Sequence, residues 1–527
     1  MEDVIYRSSP SHDPREEMIS QASVDNTPDP AVEYRQNEKQ GQCQEQDLYE
    51  EPNIVLPPTI NAAYDWTGPD DPDNPRNFSA ALRIFSTVAI TMLAMIGTVA
   101  GSMYAPAQDA VASALHCSRI VAVLPLSLYN LGLAFGPMVG APLSETYGRK
   151  SVFMLSTPVF VLFMLGSGFS RSVAGLTACR FFAGVFASPL INNAPATLLD
   201  FTPPRYRGVS LGGYYAVPSF GAAFGPLIGG FVLLVKPWQW TQWISIVITV
   251  AFYIPVCFTR ETYKKVILKR RATRLGLRDS ASQRTSPGRA FRYFFTTLIQ
   301  RPLHMLFTEP IVTLVSVYNG FLFGLLYTFV VSVPWIFRHY YGWPAESEPL
   351  SYLGLMCGTA LAAAPLILID LFSYQKRLTE WQLRHDDDEP LPSENRLMSA
   401  LIGSIMLPIC LFIVGWTVHY HVHWIVPIVF QGLVMLSSLL VYAGANLFML
   451  DAYGPLYGAS ASGSMMFSRY LLSAVFPLFA LQMYENLGAG WATSILGFVT
   501  LVMAPIPWFF RAYGEKLRAR SKYEMST

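Results

Sequence analysis

The sequence predicts an all-α membrane protein with twelve transmembrane helices arranged as two six-helix halves. Three observations support this prediction. Hydrophobic residues make up 52% of the 527 residues and charged residues only 14%, a composition typical of a chain that contacts lipid. Twelve apolar stretches each approach the ~20 residues that a helix needs to cross a bilayer. A long basic break follows the sixth stretch and divides the chain in two.

The first element is a polar N-terminal tail over residues 1–80. It is rich in Asp, Glu, Gln, Pro and Ser and lacks periodic apolar residues, so it cannot bury enough surface to offset its chain entropy. We expect this tail to be disordered and cytosolic. No apolar signal-peptide core precedes the first span, so the first transmembrane helix is expected to direct insertion.

The spans follow in order, and each is expected to be a helix because only a helix satisfies its own backbone hydrogen bonds at this length. Transmembrane strands would be shorter and would alternate apolar with polar residues. The predicted spans are 83–104, 120–142, 151–169, 173–195, 209–234, 239–258, 310–334, 350–371, 397–418, 424–448, 459–482 and 490–510. They form an N-terminal half at 81–260 and a C-terminal half at 309–511, with a basic cytosolic linker at 261–308 and a cytosolic tail at 512–527.

Basic residues in the loops predict the orientation of the spans. If the N-terminus is cytosolic, the cytosolic face receives the basic pairs at 149–150 and 376–377, the linker and the C-terminal tail. The opposite face receives only Arg119, Arg171, Lys236 and Arg338. Both termini are therefore expected in the cytosol, in a multi-pass protein of the cell membrane.

Several classes of function are disfavoured. The net charge of +1 gives no electrostatic footprint for nucleic acid. The sequence has no GxxxxGK[ST] phosphate loop and no HExxH or GxSxG motif, so we expect neither an enzyme nor an ATP-driven pump, and no cofactor. His419, His421 and His423 alternate in a predicted loop and could bind a metal, but an ordinary interfacial loop is favoured and no metal site is predicted.

The loop between spans 2 and 3 reads PLSETYGRK and contains Glu145, Gly148, Arg149 and Lys150. A carboxylate here can sit at the N-terminus of a neighbouring helix, and the arginine can bind another acid. Such contacts would lock one conformation and break in another. A simple basic loop with a glycine turn explains the same residues, so both interpretations stay open. A similar order of acid, aromatic residue and basic pair recurs as LILIDLFSYQKRL between spans 8 and 9.

Two arginines lie inside spans, Arg180 in span 4 and Arg469 in span 11. An unpaired cation at that depth costs at least ~2.5–3.5 kcal/mol, which marks both as functional candidates. A structural arginine bound by helix carbonyls and a tyrosine is the alternative. The carboxylates, Asp200 and Asp451 among them, lie near span ends, so we expect substrates that are neutral, weakly charged or amphiphilic. Because arginine keeps its proton, any transported proton must be carried by an acid.

Span 5 places small residues at a four-residue spacing, and the residues of interest are Gly221, Gly225, Pro226, Gly229 and Gly230. They permit close approach of another helix, and the proline invites a kink; tight packing without motion is the alternative. Polar side chains in other spans could line a small-molecule pocket, although bonding between helices explains any one of them. The predicted substrate-binding residues are Tyr129, Asn130, Asn192, Asn193, Tyr215, Tyr327 and Gln431.

At these residues the chain resembles the major facilitator superfamily, and within it the twelve-helix drug:proton antiporters of fungi. PLSETYGRK is similar to the signature of loop 2–3, LTACRFFAG to that of span 4, and GAAFGPLIGG to the antiporter signature of span 5. Further similar stretches, such as DAYGPLYGASASG, extend the resemblance over nearly everything from Asp70 to Arg518. The chain departs from the wider superfamily at Ala141, Glu145 and Thr146, where Gly, Asp and Arg are frequent.

The resemblance implies roles for several residues. Glu145 would cap span 11, and Arg149 would pair with Asp200 in a cytosolic gate that locks the outward-open state. Arg180 would take part in proton coupling, and the small residues of span 5 would form a hinge that limits leak. Asp451 and Arg469 are predicted as further gating and coupling residues.

The expected function is secondary active transport. A monomer would export toxic or secondary-metabolite small molecules across the plasma membrane by alternating access, with protons as the coupling ion. A polyamine or other organic-cation transporter is the alternative within transport, and the missing mid-depth acid disfavours it. A non-transporting membrane sensor is the alternative of another class, for which the N-terminal tail is too unstructured to be the effector domain.

Overall fold

A computed structural model of the chain describes residues 65–68, 70–203, 206–275, 296, 300–384, 391–519 and 521. The N-terminal half contains α1 (Ala80–Ser102), α2 (Gln108–Ala114), α3 (Arg119–Tyr147), α4 (Arg149–Phe169), α5 (Val173–Phe201), α6 (Arg207–Val235) and α7 (Trp240–Cys257). The connection between the halves contains α8 (Lys264–Arg274) and α9 (Arg301–Thr308). The C-terminal half contains α10 (Pro310–Tyr341), α11 (Leu353–Leu361), α12 (Ala363–Ile369), α13 (Gln375–Gln382), α14 (Met398–His419), α15 (Ile425–Met503) and α16 (Pro505–Arg518).

The helical stretches of the described residues include 11 that are long and apolar enough to cross a membrane. The last of them, Ser460–Arg518, has 59 residues. At 1.5 Å per residue these residues supply about 88 Å of helix in total, which is enough for two crossings of ~30 Å. The twelve predicted spans are thus accounted for, and the predicted all-α membrane fold is confirmed.

The helix α15 continues through three predicted spans, and two glycines divide it. Gly454 has φ 59° and Gly488 has φ 73°, both outside helical geometry. Residues with a Cβ rarely adopt positive φ, so glycine suits both positions. Each glycine lies between two predicted spans, where the chain has to reverse direction.

Serine side chains fix the first residues of three helices in the N-terminal half. The hydroxyls of Ser79, Ser118 and Ser172 accept hydrogen bonds from the first-turn N–H groups of α1, α3 and α5, at 3.2–3.4 Å. Such caps satisfy N–H groups that have no partner within the helix.

The predicted tail at 1–80 lies mostly outside the described residues, but its last part packs against α8. Asp71 is buried and binds Arg271 at 2.7 Å, and Asp65 binds Lys264 at 2.7 Å. Burial alone would raise the pKa of Asp71, but hydrogen bonds from Arg271 and from neighbouring backbone N–H groups lower this pKa well below its usual range. The segment before α1 is thus attached to the connection that follows α7, whereas the sequence predicted no structure there.

The two halves meet where α3 packs against α15 and α6 against α11. Large apolar side chains lie on the outer surfaces of α4, α7 and α15. Leu155, Leu162, Val247 and Val502 each expose at least 63% of their surface. Apolar exposure on this scale fits contact with lipid acyl chains.

Candidate functional site

A cavity of about 2760 Å³ lies between the two halves at one end of the molecule. The N-terminal half contributes Asp200 and Leu211 to its wall, and the C-terminal half contributes Tyr374, Arg396 and Asp451. We call this end of the molecule the cavity end and the other the far end. Two clusters of charged residues, one in each half, stand at the mouth of the cavity.

The first charged cluster is built around Arg149, at the start of α4. Its Nε lies 3.5 Å from Oδ2 of Asp200, its Nη1 donates to Oγ of Ser144 at 2.6 Å, and its guanidinium carbon lies 4.9 Å from the centre of the Tyr263 ring. Asp200 also accepts a hydrogen bond from the Thr262 hydroxyl at 2.9 Å. The structure therefore brings together Arg149 and Asp200, the pair that the family resemblance implied.

Glu261 completes this cluster, and the sequence analysis missed it. Its Oε1 accepts a hydrogen bond from the backbone N–H of Arg149 at 2.8 Å, so a carboxylate caps the N-terminus of α4, where negative charge is favoured. Gly148 precedes this helix with φ 101°, and a Cβ at this position would collide with the Glu261 carboxylate. The sequence feature that could have indicated Glu261 is the acid in TRETY, directly after span 6.

Lys150 and Glu145 have different surroundings in the same loop. Lys150 donates from Nζ to the carbonyl oxygens of Cys257 at 2.8 Å and Thr259 at 2.7 Å, which fastens the loop to the end of α7. Glu145 is exposed, and no hydrogen bond or ion pair joins it to α15 among the described residues. The predicted cap of span 11 is not formed in this conformation, and that role stays a prediction.

The second cluster lies in the C-terminal half and is built around Arg396. This side chain binds Oδ1 of Asp370 at 3.1 Å and Oδ2 of Asp451 at 2.8 Å, and its guanidinium carbon lies 3.4 Å from the centre of the Tyr374 ring. An arginine, acids at span ends and a tyrosine thus recur in both halves. The motif LILIDLFSYQKRL supplied Asp370 and Tyr374, but the cation comes from Arg396, before α14, and not from the basic pair of the motif.

The far end is closed by contacts between the halves. Arg119 lies 3.4 Å from Asp109 and 3.6 Å from Glu485 of the C-terminal half. Nearer the middle, Nδ2 of Asn130 donates to the carbonyl oxygen of Ser473 at 3.2 Å. Nδ2 of Asn446 donates to the hydroxyl of Tyr215 at 2.5 Å, and this contact between the halves lies beside Leu211 and Leu447 of the cavity wall and not at the far end. The pathway between the halves is therefore open at the cavity end and closed at the far end.

Arg180 is fully buried, and its donors bind main-chain oxygens. It donates to the carbonyl oxygens of Ala100 at 2.8 Å and Gly101 at 2.7 Å and approaches Oε1 of Gln242 at 3.4 Å. The ring centre of Tyr129 lies 4.7 Å from its guanidinium carbon. These are the contacts of a structural arginine, and within the described part of the chain no carboxylate pairs with it.

The small residues of span 5 pack closely against α1. A Cβ at Gly225 would lie 2.7 Å from the carbonyl oxygen of Val99. The residues that face α1 in this way are Gly221, Gly225 and Gly229, whereas Gly230 faces Pro349 of the C-terminal half. α6 continues as one helix through Pro226. The structure thus provides the tight packing, and the hinge role stays a prediction.

The predicted substrate-binding residues are mostly engaged with protein groups. The hydroxyl of Tyr129 donates to the Gly97 carbonyl at 2.5 Å, and Asn192 and Asn193 donate to groups of their own half. Asn130 and Tyr215 join the two halves, as described above, and Tyr327 is fully buried. Gln431 is also fully buried, and neither its amide nitrogen nor its oxygen has a hydrogen-bond partner.

A small chamber of about 30 Å³ lies near the middle of the molecule. Helices of both halves contribute to its wall, which includes Ser219, Asn319, Phe323, Ser438, Tyr442 and Arg469. Among the residues predicted from the sequence, the wall includes Arg469, which was expected to be a coupling residue. Ser438 and Tyr442 lie four residues apart on one face of α15, a spacing that the sequence contained.

The three histidines predicted to lie in an interfacial loop face aromatic rings. His419 packs on Trp416, His421 on Tyr340 and His423 on Trp424, with ring centres 5.1–5.7 Å apart. No group of three His, Cys, Asp or Glu residues in the described ranges could hold a metal ion.

Comparison with known proteins extends these observations. The model of the Major Facilitator Superfamily matches residues 89–477. Polyamine transporter 4 of Saccharomyces cerevisiae is 32% identical over 481 residues, which cover 87% of this chain and 73% of that protein. Efflux pump radE of Floropilus chiversii is 32% identical over 487 residues, which cover 90% of this chain and 86% of that protein.

A solved structure has the same fold. The xylose transporter XylE from E. coli, in a partially occluded inward-open conformation, aligns with a TM-score of 0.56 over 81% of this chain and 99% of that chain. The sequence identity of this alignment is 14%.

Proposed function

This chain belongs to the major facilitator superfamily, whose members are membrane transporters and not enzymes, and from this premise we propose that it exports toxic or secondary-metabolite small molecules across the plasma membrane in exchange for protons. The observation that carries this proposal is the cavity of about 2760 Å³, which is open at one end of the interface between the halves and closed at the other. An alternating-access carrier requires such an asymmetric state.

The proposed orientation places the cavity end in the cytosol. The basic residues of loop 2–3, of α8 and of α16 lie at this end, and cytosolic loops carry an excess of Lys and Arg. The conformation described here is then inward-open, so that a molecule in the cytosol could enter the cavity. The relative named as an efflux pump supports export as the direction.

Proton coupling needs an acid that can change its charge during the cycle. The carboxylates that line the cavity include Asp200 and Asp451, each beside an arginine. A movement within one half that separates the acid from its arginine would change the surroundings of the carboxylate and let it exchange a proton. Arg180 would then have a structural role, because its hydrogen bonds to Ala100 and Gly101 hold α1 in place.

The experiment that tests the proposal measures accumulation of Nile red, a lipophilic fluorescent dye, in cells with and without the protein. We expect lower accumulation with the protein, and loss of this difference after a protonophore is added or in the Asp200→Asn and Arg180→Ala variants. The matched control is Arg171→Ala, which removes an exposed arginine outside the pathway. Equal accumulation with and without the protein would refute export, and a difference that survives the protonophore would refute proton coupling.

A second candidate, polyamine transport, is supported by the relative named Polyamine transporter 4. The central chamber argues against this candidate, because its described wall contains Arg469 and no carboxylate. A polycation requires acids to replace its hydration water. Export of spermine at a higher rate than Nile red would favour this candidate. A non-transporting sensor has no support from these relatives, whose names describe transport or efflux.

A further inference from the structure

The central chamber contains a buried cation, Arg469, that is paired with no carboxylate of the described residues. Arg469 is 6% exposed and lines the chamber, and none of the ion pairs among the described residues includes it. The titratable groups around it are the tyrosines Tyr442, Tyr470, Tyr214 and Tyr327. A cation at this depth without a counter-charge is costly, so a negative group that enters the chamber gains a strong partner.

The geometry of Arg469 leaves donors available to such a group. The ring centres of Phe323 and Tyr442 lie 4.0 and 4.3 Å from its guanidinium carbon. Aromatic rings stack on the face of a guanidinium, whereas its five N–H donors lie in its plane and match a carboxylate in pairs. The rings therefore fix the side chain without using most of its donors.

Arg180 differs from Arg469 in both respects. Its donors bind the carbonyl oxygens of Ala100 and Gly101, and it lies outside the wall of the chamber. The two buried arginines, which the sequence could not tell apart, thus have different surroundings. Only Arg469 offers its charge to a space that a ligand can enter.

A second polar group in the chamber lacks a partner. Asn319 donates from Nδ2 to the Val315 carbonyl at 3.0 Å, but its Oδ1 is buried without a hydrogen bond. Burying such an oxygen unpaired is unfavourable. The described wall of the chamber thus contains a cation and a residue with an unpaired acceptor.

The size of the chamber restricts what enters it. Its 30 Å³ holds about two water molecules, which is room for a carboxylate but not for a whole drug-sized molecule. Its wall is formed by α6 of one half and by α10, α11 and α15 of the other. A larger molecule would place its charged group here and its apolar part along the seam between the halves.

We propose that the central chamber binds an anionic group through Arg469, and that the preferred substrates are amphiphilic acids. The part that concerns substrates rests on the transport function proposed above. The same chemistry would serve a free inorganic anion such as chloride, and the experiment separates the two sources. The sequence, which lacked a mid-depth acid, indicated substrates that were neutral, weakly charged or amphiphilic; the chamber selects the acidic members of that range.

The test measures binding to the purified full-length chain in detergent near neutral pH. The probes are naphthoate and its uncharged methyl ester, titrated by calorimetry in a chloride-free buffer and in the same buffer with added chloride. We expect naphthoate to bind at least tenfold more tightly than the ester, and Arg469→Gln to abolish this preference. Arg469→Lys keeps the charge but not the paired donors, so it should retain part of the preference. Arg171→Gln removes an exposed arginine and should leave the preference unchanged.

The outcomes are distinct. If chloride weakens naphthoate binding to the wild type, and raises the thermal stability only of proteins that retain Arg469, the site also binds free inorganic anions. If chloride has neither effect, the site selects organic acids. Equal binding of acid and ester by the wild type, no binding of naphthoate, or an unchanged preference in folded Arg469→Gln protein would each overturn the proposal. Anion binding that depends on Arg469, with no effect of the protein on the accumulation of either Nile red or naphthoate in cells, would refute export alone.

Discussion

The close packing of α6 against α1 offers a sharp test, because α6 contains its own control. The change is Gly225→Ala, compared with Gly213→Ala on the same helix. A Cβ at Gly225 would lie 2.7 Å from the carbonyl oxygen of Val99 and 2.9 Å from the backbone nitrogen of Met103. A Cβ at Gly213 would have no atom within 4 Å. Backbone atoms cannot rotate away as a side chain can, so α1 and α6 must move apart in the first variant alone.

The magnitude follows from two effects. Alanine gains about 1 kcal/mol over glycine in a helix interior, and this gain applies to both variants. Overpacking costs about 1–3 kcal/mol and applies to Gly225→Ala alone. We therefore expect the free energies of unfolding of the two variants to differ by about 1–3 kcal/mol, with Gly213→Ala at or above the wild type.

The measurement is unfolding of purified protein in detergent, with increasing SDS and helix content as the signal. Equal stability of the two variants would refute the packing argument. Dye accumulation in the same variants separates the two interpretations of span 5. If Gly225→Ala loses stability and export together, tight packing is sufficient; if export falls while stability is unchanged, the hinge interpretation is favoured.

Three other predictions concern the charged clusters. Glu261→Gln removes the negative charge that caps α4 and should lower the free energy of unfolding by about 1 kcal/mol; an unchanged SDS midpoint would contradict the capping role. Arg396→Gln leaves Asp370 and Asp451 without their cation and should cost about 3 kcal/mol, whereas Arg377→Gln, which removes only a bond to Asn395, should cost less than about 1 kcal/mol. Asp71→Asn should reduce hydrogen-exchange protection of residues 70–79 by about tenfold. The pKa of Asp71 in the folded protein lies below its ordinary value of 3.8. The contact of Asp71 with Arg271 therefore stabilises the fold at pH values above 3.8 and is lost only as the pH falls through the lower folded pKa. Hydrogen-exchange protection of the wild type should thus not change between about pH 7 and about pH 5.

The spans were predictable because their signal is local. Length and hydropathy alone give a helix at 83–104, where the structure has α1 at Ala80–Ser102. The breaks at Gly454 and Gly488 also fall between predicted spans. Contacts between the two halves, or between loops distant in the sequence, were harder to predict, because periodicity identifies an inward-facing residue but not its partner.

The site shows this limit most clearly. Arg149 and Glu261 are 112 positions apart in the sequence, and nothing in either segment indicates the contact. The central chamber combines residues of four helices, each of which has the composition of an ordinary apolar span with a few polar residues. Arg469 was identified because a buried charge is conspicuous even without its neighbours.

The distribution of ion pairs over the two ends has a consequence for salt and for the cycle. Among the described residues, each ion pair at the cavity end joins partners on the same side of the seam, as Arg149 does with Asp200 and Arg396 with Asp451. The pair across the seam, Arg119 with Glu485, exposes 64% and 38% of its side chains and is worth at most about 1 kcal/mol. Rocking one half against the other therefore breaks one weak, screened attraction between the halves, whereas separating an arginine from its acid, which proton uptake requires, takes a further movement within one half. The equilibrium between the inward-open and outward-open states should thus be nearly independent of ionic strength. The neutral contacts at the centre of the interface should determine it instead.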